Sequence, residues 1–302
     1  MNLTGPILVF GASGQVGRAL LKILGHHGIG FFSSQADFKN FSTLFDLLKK
    51  SSPSAVINAA AYTAVDLAET HESLATEING KTPGLIAQWC TQEQIPFIHY
   101  STDYVFSGEG SHPWQENSPV GPLNAYGRSK LEGEIQVQSA GGNFLIFRTS
   151  WVYDGIGKNF LTTMLKLGKS KKTLEIVNDQ WGAPTYAGHL AQATLQCLSS
   201  ALLSNSFPSG IYHLCNDGET NWLNFAHTIF QMATQKGLPL VIEQVYGISS
   251  SDYPTPAKRP LNSRLNLDKT QNTLGVRLPH WKVGLKECLE SIGGNSNESH
   301  SS

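Results

Sequence analysis

The stretch that decides the fold is Ile7-Leu8-Val9-Phe10-Gly11-Ala12-Ser13-Gly14-Gln15-Val16-Gly17, near the start of the chain. It begins with a short apolar run, and the residues after Gly17 repeat apolar positions with the period of a helix. A buried strand, a glycine turn and a helix leave backbone N–H groups at the helix N-terminus to bind a pyrophosphate. Glycines also occur in plain turns, but the strand and helix on either side favour a dinucleotide-binding unit.

Strand and helix patterns alternate through the first half of the chain. Strands are predicted at 7–10, 28–33, 55–58 and 96–100, and helical patterns at 42–50 and up to about residue 91. This alternation predicts an α/β fold of the Rossmann type, with a doubly wound parallel sheet.

The alternation loosens after Trp151. Further helices are predicted at 160–168, 186–203, 221–236 and 281–292, and strands at 174–177 and 211–214. We therefore expect an NAD(P)-binding domain at 1–150 and a smaller C-terminal α/β domain, mainly substrate-binding, at 151–292, which may share the sheet of the first. The tail 293–302 has no apolar residue and is predicted to be disordered.

The composition limits the classes of partner. The net charge of −1 gives no electrostatic footprint for nucleic acid or an anionic membrane, so neither is expected as a partner. No apolar run approaches the roughly 18 residues of a membrane span, and no secretion signal is recognisable at the start. The cysteines are far apart and lack zinc-site spacing, which predicts reduced thiols and a cytoplasmic protein. They are Cys90, Cys197, Cys215 and Cys288.

The end of the second strand bears on the choice of cofactor. An NAD-selective fold places an Asp or Glu there to bind the ribose 2′-hydroxyl. This chain has Ser33 and Ser34, with no carboxylate before Asp37 and no arginine. No carboxylate here would repel a 2′-phosphate and no arginine would bind it, so both NADPH and NADH remain possible cofactors.

A phenol and an amine lie four residues apart in Asn124-Ala125-Tyr126-Gly127-Arg128-Ser129-Lys130. On a helix this spacing puts Tyr126 and Lys130 on one face, although most such pairs are ordinary amphipathic faces. An ammonium ~4 Å from a phenolate stabilises it by about 4 kcal/mol at an effective dielectric of ~20. That is enough to bring a tyrosine pKa from about 10 to near 7. The pair thus predicts Tyr126 as a general acid or base.

Two further groups follow predicted parallel strands, where ligands bind in open α/β sheets. Thr102 ends the fourth strand, and its hydroxyl is expected to meet Tyr126. Ala59-Ala60-Ala61 follows the third strand. Such small residues let a flat cofactor lie against the backbone, although they would also suit close packing.

The combination of Thr102, Tyr126, Lys130 and a G-x-x-G-x-x-G turn resembles the extended short-chain dehydrogenase/reductases. Five longer strings are similar to the dTDP-4-dehydrorhamnose reductase family, and the resemblance runs from about residue 7 to 292. The strings are NAAAYTAVD (58–66), STDYVF (101–106), FRTSWVY (147–153), NDQWGAPT (178–185) and RPLNSRL (259–265). The resemblance implies reduction of the 4-keto group of dTDP-4-dehydro-L-rhamnose, a nucleotide sugar, with hydride from NADPH or NADH.

The resemblance also implies roles for individual residues. Tyr126 would donate a proton, Lys130 would lower the Tyr126 pKa and hold the nicotinamide ribose, and Thr102 would bind the carbonyl oxygen. The cofactor would be lined by Gly11, Gly14, Gln15, Val16, Gly17, Asp37, Phe38, Ala59, Ala60 and Ala61, together with Tyr126 and Lys130. The substrate would contact Thr63, Val65, Thr102, Asp103, Tyr104, Trp151 and Arg259. For Trp151 a core anchor is the alternative, and for Arg259 a surface charge.

The chain departs from the family at one kind of site. Some members join as dimers through a divalent metal held by acidic residues. The matching positions here are Ala19, Gly188 or its neighbour His189, and Ser291, none of which is a carboxylate. We therefore expect no metal, and a monomer or a dimer without a metal bridge. The histidines show no metal-like grouping, and His71, His99 and His213 are interpreted as structural or surface residues.

Two other functions remain as alternatives. A nucleotide-sugar epimerase or 4,6-dehydratase uses the same scaffold, but a dehydratase needs an added acid–base pair where this chain has Asp103-Tyr104. A non-catalytic regulatory subunit is the other alternative, and the intact set of Thr102, Tyr126 and Lys130 argues against it.

Overall fold

The computed structural model describes residues 5–294 of the chain. The strands are Ile7–Phe10 (β1), Gly28–Phe31 (β2), Ala55–Asn58 (β3), Phe97–Thr102 (β4), Phe144–Thr149 (β5), Val152–Tyr153 (β6), Thr173–Val177 (β7), Trp181–Gly182 (β8), Thr185–Tyr186 (β9), Gly210–His213 (β10), Thr220–Asn221 (β11) and Gln244–Ile248 (β12). The α-helices are Gln15–Leu24 (α1), Phe41–Ser51 (α2), Val65–Ala68 (α3), Glu72–Thr76 (α4), Thr82–Gln92 (α5), Ala125–Ala140 (α6), Phe160–Gly168 (α7), Ala187–Leu203 (α8), Trp222–Gln235 (α9), Asp268–Leu274 (α10) and Trp281–Gly294 (α11). The tail predicted to be disordered lies outside the described residues, apart from the two glycines that end α11.

A six-stranded parallel sheet forms the centre of the molecule, in the order β10-β5-β4-β3-β1-β2. The chain moves from β1 outward to β2 and then crosses back to β3, so the loops after β1 and β3 diverge at the switch point of the sheet. This arrangement confirms the predicted doubly wound α/β fold. The sixth strand, β10, comes from the C-terminal half, so the sheet extends beyond residue 150. The boundary between domains at 150 stays a prediction.

Helices cover both faces of the sheet because its central strands are apolar on both sides. One face packs on α1 and α8 through a cluster that includes Leu20 and Leu198. The other face packs on α2, α5 and α6 through a cluster that includes Leu44 and Val137. A third cluster joins α7, α9 and α11 around Phe225, beside the small parallel pair of β7 and β12. The sheet therefore holds its strand ends rigidly between helices.

The long helix predicted up to about residue 91 is interrupted. It consists of α3, α4, a π-helical turn at Glu77–Lys81 and then α5. Pro83 lacks an N–H and so cannot bond the carbonyl of Asn79 four residues earlier, which accounts for the wider turn. The Asn79 side chain instead accepts from the Tyr62 N–H at 2.7 Å and donates to the Tyr62 carbonyl at 3.0 Å. The interruption thus ties this helical segment to the loop after β3.

In the part of the chain that the structure describes, no helix has both the length and the apolar character to cross a membrane. The four cysteines are all buried and free.

Candidate active site

The loop between β1 and α1 is shaped by close backbone packing. Gly11 has a φ of +79°, and a Cβ there would lie 2.6 Å from the backbone of Ala59 and Ala60. A Cβ on Gly17 would lie 2.1 Å from the Gly11 carbonyl oxygen. Because side chains are excluded at both positions, the loops after β1 and β3 touch each other. The sequence-predicted residues Gly11, Ala59 and Ala60 are therefore brought together.

The N-terminus of α1 is suited to an anionic ligand. Gly14 is the N-cap and provides no side-chain hydrogen bond, so no capping side chain occupies the N–H groups of the first turn. Gly14 and Ser13 are exposed, and Gln15 and Val16 are half-buried. This cradle fits the pyrophosphate of a dinucleotide. The Gln15 side chain accepts a hydrogen bond from Asn159 at 2.9 Å and so links the loop to the segment before α7.

The two residues expected beside the adenine differ in their surroundings. Asp37 is exposed, and its Oδ1 accepts a hydrogen bond from the Lys39 N–H at 3.0 Å. Phe38 is buried and packs edge-on against Phe10, with ring centroids 5.5 Å apart. The Phe38 side chain is thus part of the core, and its carbonyl accepts a hydrogen bond from the Thr82 hydroxyl at 2.5 Å.

The start of α6 is fixed by three polar contacts. Asn124 is its N-cap, since its Oδ1 accepts from the Gly127 N–H at 2.8 Å. The Asn124 amide also donates to the Lys258 carbonyl at 2.8 Å. The Ala125 N–H donates to Glu69 Oε1 at 2.7 Å. Together these contacts place Tyr126, in the first turn, against the carboxyl end of β4.

The Tyr126 phenol lies in an apolar and acidic environment. Burial, and next to it the charge of Asp103, raise the pKa of Tyr126 to about 12, while the nearby Thr102 hydroxyl lowers it. The Tyr104 ring meets the Tyr126 ring edge-on, at 5.7 Å between centroids. At neutral pH the phenol is therefore protonated and can donate a proton. The structure brings Thr102, Asp103, Tyr104 and Tyr126 together, as the sequence predicts.

Asp103 is an unusual carboxyl group. It is 2% exposed, and its Oδ1 accepts a hydrogen bond from the Thr102 hydroxyl at 3.0 Å. Its other oxygen, Oδ2, is also buried, and the nearby Ser263 hydroxyl favours the charged form of the carboxyl group. Burial raises the pKa of Asp103 to about 7. The carboxyl group can thus change its protonation state near neutral pH.

The Lys130 side chain contacts groups of β4. Its Nζ donates to the Tyr100 carbonyl and lies 3.3 Å from Nε2 of His99. Burial lowers the pKa of Lys130 to about 7, against the opposing effect of Glu134. Lys130 is not among the groups that shift the Tyr126 pKa, which is raised. That Lys130 stabilises the ionised form of Tyr126 during the reaction stays a prediction.

Sequence reasoning missed two residues of this cluster. His99, interpreted as structural or surface, is buried and contacts both Lys130 and Asn58. Asn58 and His99 are paired in register on β3 and β4. The available signal was a polar residue among the buried positions of each strand, since such groups are buried only with partners.

The residues expected to contact the substrate surround the same strand ends. Thr63 is exposed and Val65 begins α3. Trp151 follows β5 with a φ of +48°, a strained conformation for a tryptophan. Its indole stacks on Trp222 with centroids 3.7 Å apart, and a Cβ on Gly182 would lie 2.9 Å from it. Trp151 is thus held in place between two elements of the C-terminal half.

Arg259 is neither a free cation nor a surface charge. Its guanidinium forms a two-pronged ion pair with Asp66, at 2.9 and 2.8 Å. Asp66 also accepts from the Ala257 N–H at 3.1 Å. The pair joins α3 to the segment that carries Lys258, next to the N-cap of α6. Arg259 therefore lies close to the site but is already paired.

The positions that the sequence comparison matched to a metal site make other contacts in the structure. His189 Nε2 lies 2.8 Å from Glu287 Oε2, so this contact joins α8 to α11. A Cβ on Gly188 would meet the Tyr186 ring at 2.6 Å. Between residues 5 and 294, no three His, Cys, Asp or Glu side chains are grouped to hold a metal ion.

Comparisons with known proteins agree with this geometry. Residues 5–293 match the family model described as RmlD substrate binding domain. The dTDP-4-dehydrorhamnose reductase of Salmonella typhimurium is 42% identical over 292 residues, which cover 95% of this chain and 97% of that protein. The one from Burkholderia thailandensis is 41% identical over 95% of this chain and 98% of its own.

A solved structure extends the comparison. The dTDP-4-dehydrorhamnose reductase of Bacillus anthracis, in complex with NADP, has a TM-score of 0.88 and 30% identity over 95% of this chain and 99% of that chain. The agreement in sequence and fold extends over 95% of the chain. The chain belongs to the dTDP-4-dehydrorhamnose reductase family.

Proposed function

We propose that this protein reduces the 4-keto group of dTDP-4-dehydro-L-rhamnose to give dTDP-L-rhamnose, with NADPH or NADH as the reductant. The observation that carries the proposal is the meeting of Thr102, Asp103 and Tyr126 where β4 ends, beside the loops after β1 and β3. A protonated phenol at this edge can reach a ligand bound in the crevice where the sheet changes direction. Membership of the family supports the identity of the substrate.

Each group of residues in the site has a separate role in the proposed reaction. The loop after β1 would hold the pyrophosphate of the dinucleotide, which when bound supplies the hydride. Tyr126 donates its phenolic proton to the oxygen on C4 of the sugar as negative charge develops there. The Thr102 hydroxyl turns its hydrogen from Asp103 towards the same oxygen and stabilises that charge.

The sugar and its diphosphate would lie between the strand ends and the C-terminal half. The clamped indole of Trp151 gives one wall of this space, and Tyr104 gives another. Arg259 would bind the substrate diphosphate in place of Asp66, which now pairs with both of its terminal nitrogens. We further propose that the protein works in the cytoplasm as a monomer or as a dimer without a metal bridge.

The test is the loss of NADPH absorbance, and separately of NADH absorbance, when the purified protein meets enzymatically generated dTDP-4-dehydro-L-rhamnose. Stoichiometric oxidation with dTDP-L-rhamnose as product is expected. A folded protein that oxidises neither cofactor contradicts the proposal. A cofactor that stays bound and is regenerated during turnover would point instead to the epimerase or dehydratase alternative, which the reductase relatives do not favour.

A further inference from the structure

Three buried polar side chains form a row beside the proposed proton donor. Nδ2 of Asn58 lies 3.1 Å from Nδ1 of His99, and Nε2 of His99 lies 3.3 Å from Nζ of Lys130. None of the three side chains is more than 2% exposed. Buried polar groups are costly unless each contact pairs a donor with an acceptor. The positions of the hydrogens along this row can therefore be worked out.

The backbone fixes the orientation of the Asn58 amide. Its Oδ1 accepts a hydrogen bond from the Ala60 N–H at 3.0 Å. Turning the amide over would set its NH₂ group against that N–H, donor against donor. Nδ2 of Asn58 thus faces His99 as a donor, and Nδ1 of His99 must accept. The single ring hydrogen of the neutral imidazole then lies on Nε2, which points to Lys130.

The imidazole is neutral for a separate reason. Burial is the largest cause that lowers the pKa of His99 well below its usual range, so the ring is neutral even beside an uncharged Lys130. A Cβ on Gly133 would lie 3.2 Å from His99 Nε2, so α6 packs closely over the ring and leaves it little room to turn. The tautomer is therefore set by the packing as well as by Asn58.

An ammonium group has only donors and cannot accept a hydrogen bond from His99. A neutral amine has one lone pair and two hydrogens, so it accepts from His99 and still donates to the Tyr100 carbonyl. We propose that Asn58 and His99 are positioning residues that hold Lys130 as a neutral amine in the free protein. The lowered pKa of Lys130 agrees with this assignment.

The other titratable groups around Lys130 do not reverse this assignment of a neutral amine. On its own helix, Glu134 favours the ammonium, but Arg148 of β5 pairs with Glu134 at 2.6 Å and takes up its charge. Tyr126, one turn earlier, is protonated and uncharged. Asp103, in the segment after β4, acts on Tyr126. The π-helical turn that packs on α6 contributes Asn79, which is uncharged and donates to Ser129 at 2.9 Å.

The role of this row in turnover rests on the proposed function. Only the ammonium form of Lys130 can stabilise the phenolate that Tyr126 becomes after it donates its proton. The reductase rate therefore falls as the pH rises through the Lys130 pKa, and Asn58 and His99 set that pH.

Nitrogen-15 NMR of the histidine rings in the free protein tests the proposal without substrate or cofactor. The signals of His99 are assigned as those that disappear in His99→Gln. The expected result is an unprotonated Nδ1 and a protonated Nε2. A titration of ¹³Cε-labelled lysine, with Lys130→Met for assignment, should show Lys130 losing its proton near pH 7. A protonated Nδ1, or a Lys130 that titrates near the ordinary lysine value of about 10.4, would overturn the proposal.

Asn58→Asp reverses the donor and acceptor roles along Asn58, His99 and Lys130 with little change in side-chain shape. A carboxylate still accepts from Ala60, but it also accepts from Nδ1–H of His99, which turns the Nε2 lone pair towards an ammonium. The Lys130 pKa should rise by at least about one unit, a tenfold change in its proton affinity. Asn79→Asp is the matched control, because it adds a carboxylate beside the same helix without touching His99.

An equal rise in both variants would mean that charge alone acts on Lys130, and the proposal would fail. If Asn58→Asp does not fold, the tautomer of the wild-type ring decides the question. If the wild-type protein shows the expected His99 tautomer and Lys130 titration but no reductase activity, the proposed function is refuted and this inference stands.

Discussion

The carboxyl group of Asp103 makes the stability of the protein depend on pH in a direction that can be worked out. Its pKa is raised from 3.8 to about 7 by burial, so the folded protein binds its proton more tightly than the unfolded chain does. The stabilisation is complete below pH 3.8 and is lost as the pH rises through about 7. At about 1.36 kcal/mol per pH unit, the loss between about pH 5 and pH 8 is about 3 kcal/mol.

Asp103→Asn removes this titration and keeps the shape of the side chain. The difference in free energy of unfolding, variant minus wild type, should therefore increase by about 3 kcal/mol between about pH 5 and pH 8. Lys130 titrates in both proteins and cancels in the difference. Urea unfolding followed by tryptophan fluorescence and by circular dichroism measures it, and coincident curves from the two probes justify a two-state treatment.

Asp46→Asn, on an exposed position of α2, shows how much of any change comes from removing one negative charge from the chain. A variant-minus-wild-type difference for Asp103→Asn that is the same at both pH values would refute the reasoning, because the buried carboxyl group would then not hold its proton.

Three other predictions follow from the site and its support. Tyr126→Phe should lower turnover by roughly 10²–10⁴-fold while cofactor affinity, measured by fluorescence quenching, is largely kept; undiminished turnover would exclude Tyr126 as the acid. Ser33→Asp, in the turn after β2, should raise the KM for NADPH over that for NADH by about fivefold, since a carboxylate ~4 Å from the 2′-phosphate costs about 1 kcal/mol in water; an unchanged KM ratio would place the ribose elsewhere. Glu134→Gln should cost about 3–5 kcal/mol in urea unfolding because it leaves Arg148 buried with an unpaired charge, and Glu132→Gln on the same helix is the control; equal losses in the two variants would contradict the reasoning.

Local pattern was sufficient for most of the elements. The bounds predicted for β1, β3 and α7 are those of the structure, because a short apolar run or a helical period is set by adjacent residues. The glycine turn and the pairing of Thr102 with Tyr126 follow from the rule that ligands bind at the carboxyl ends of parallel strands.

Contacts between distant segments could not be predicted in the same way. Arg259 and Asp66 are 193 positions apart, and no local pattern indicates that they pair. The direction of Lys130 depends on whether His99 or Tyr126 offers the better partner, which is decided by the packing of α6 on β4. The π-helical turn depends on Pro83 and on the tertiary bonds of Asn79, whereas the helical period alone runs straight through it.

The sixth strand of the sheet has a consequence for how the chain is made. While β10 is still inside the ribosome, the outer side of β5 presents a row of unpaired N–H and C=O groups in an apolar setting. The nascent sheet stays incomplete until His213 has emerged, more than 60 residues after β5 ends at Thr149. During synthesis, and in any fragment cut near residue 150, this open edge is the place where chaperones bind or where two chains join by mistake.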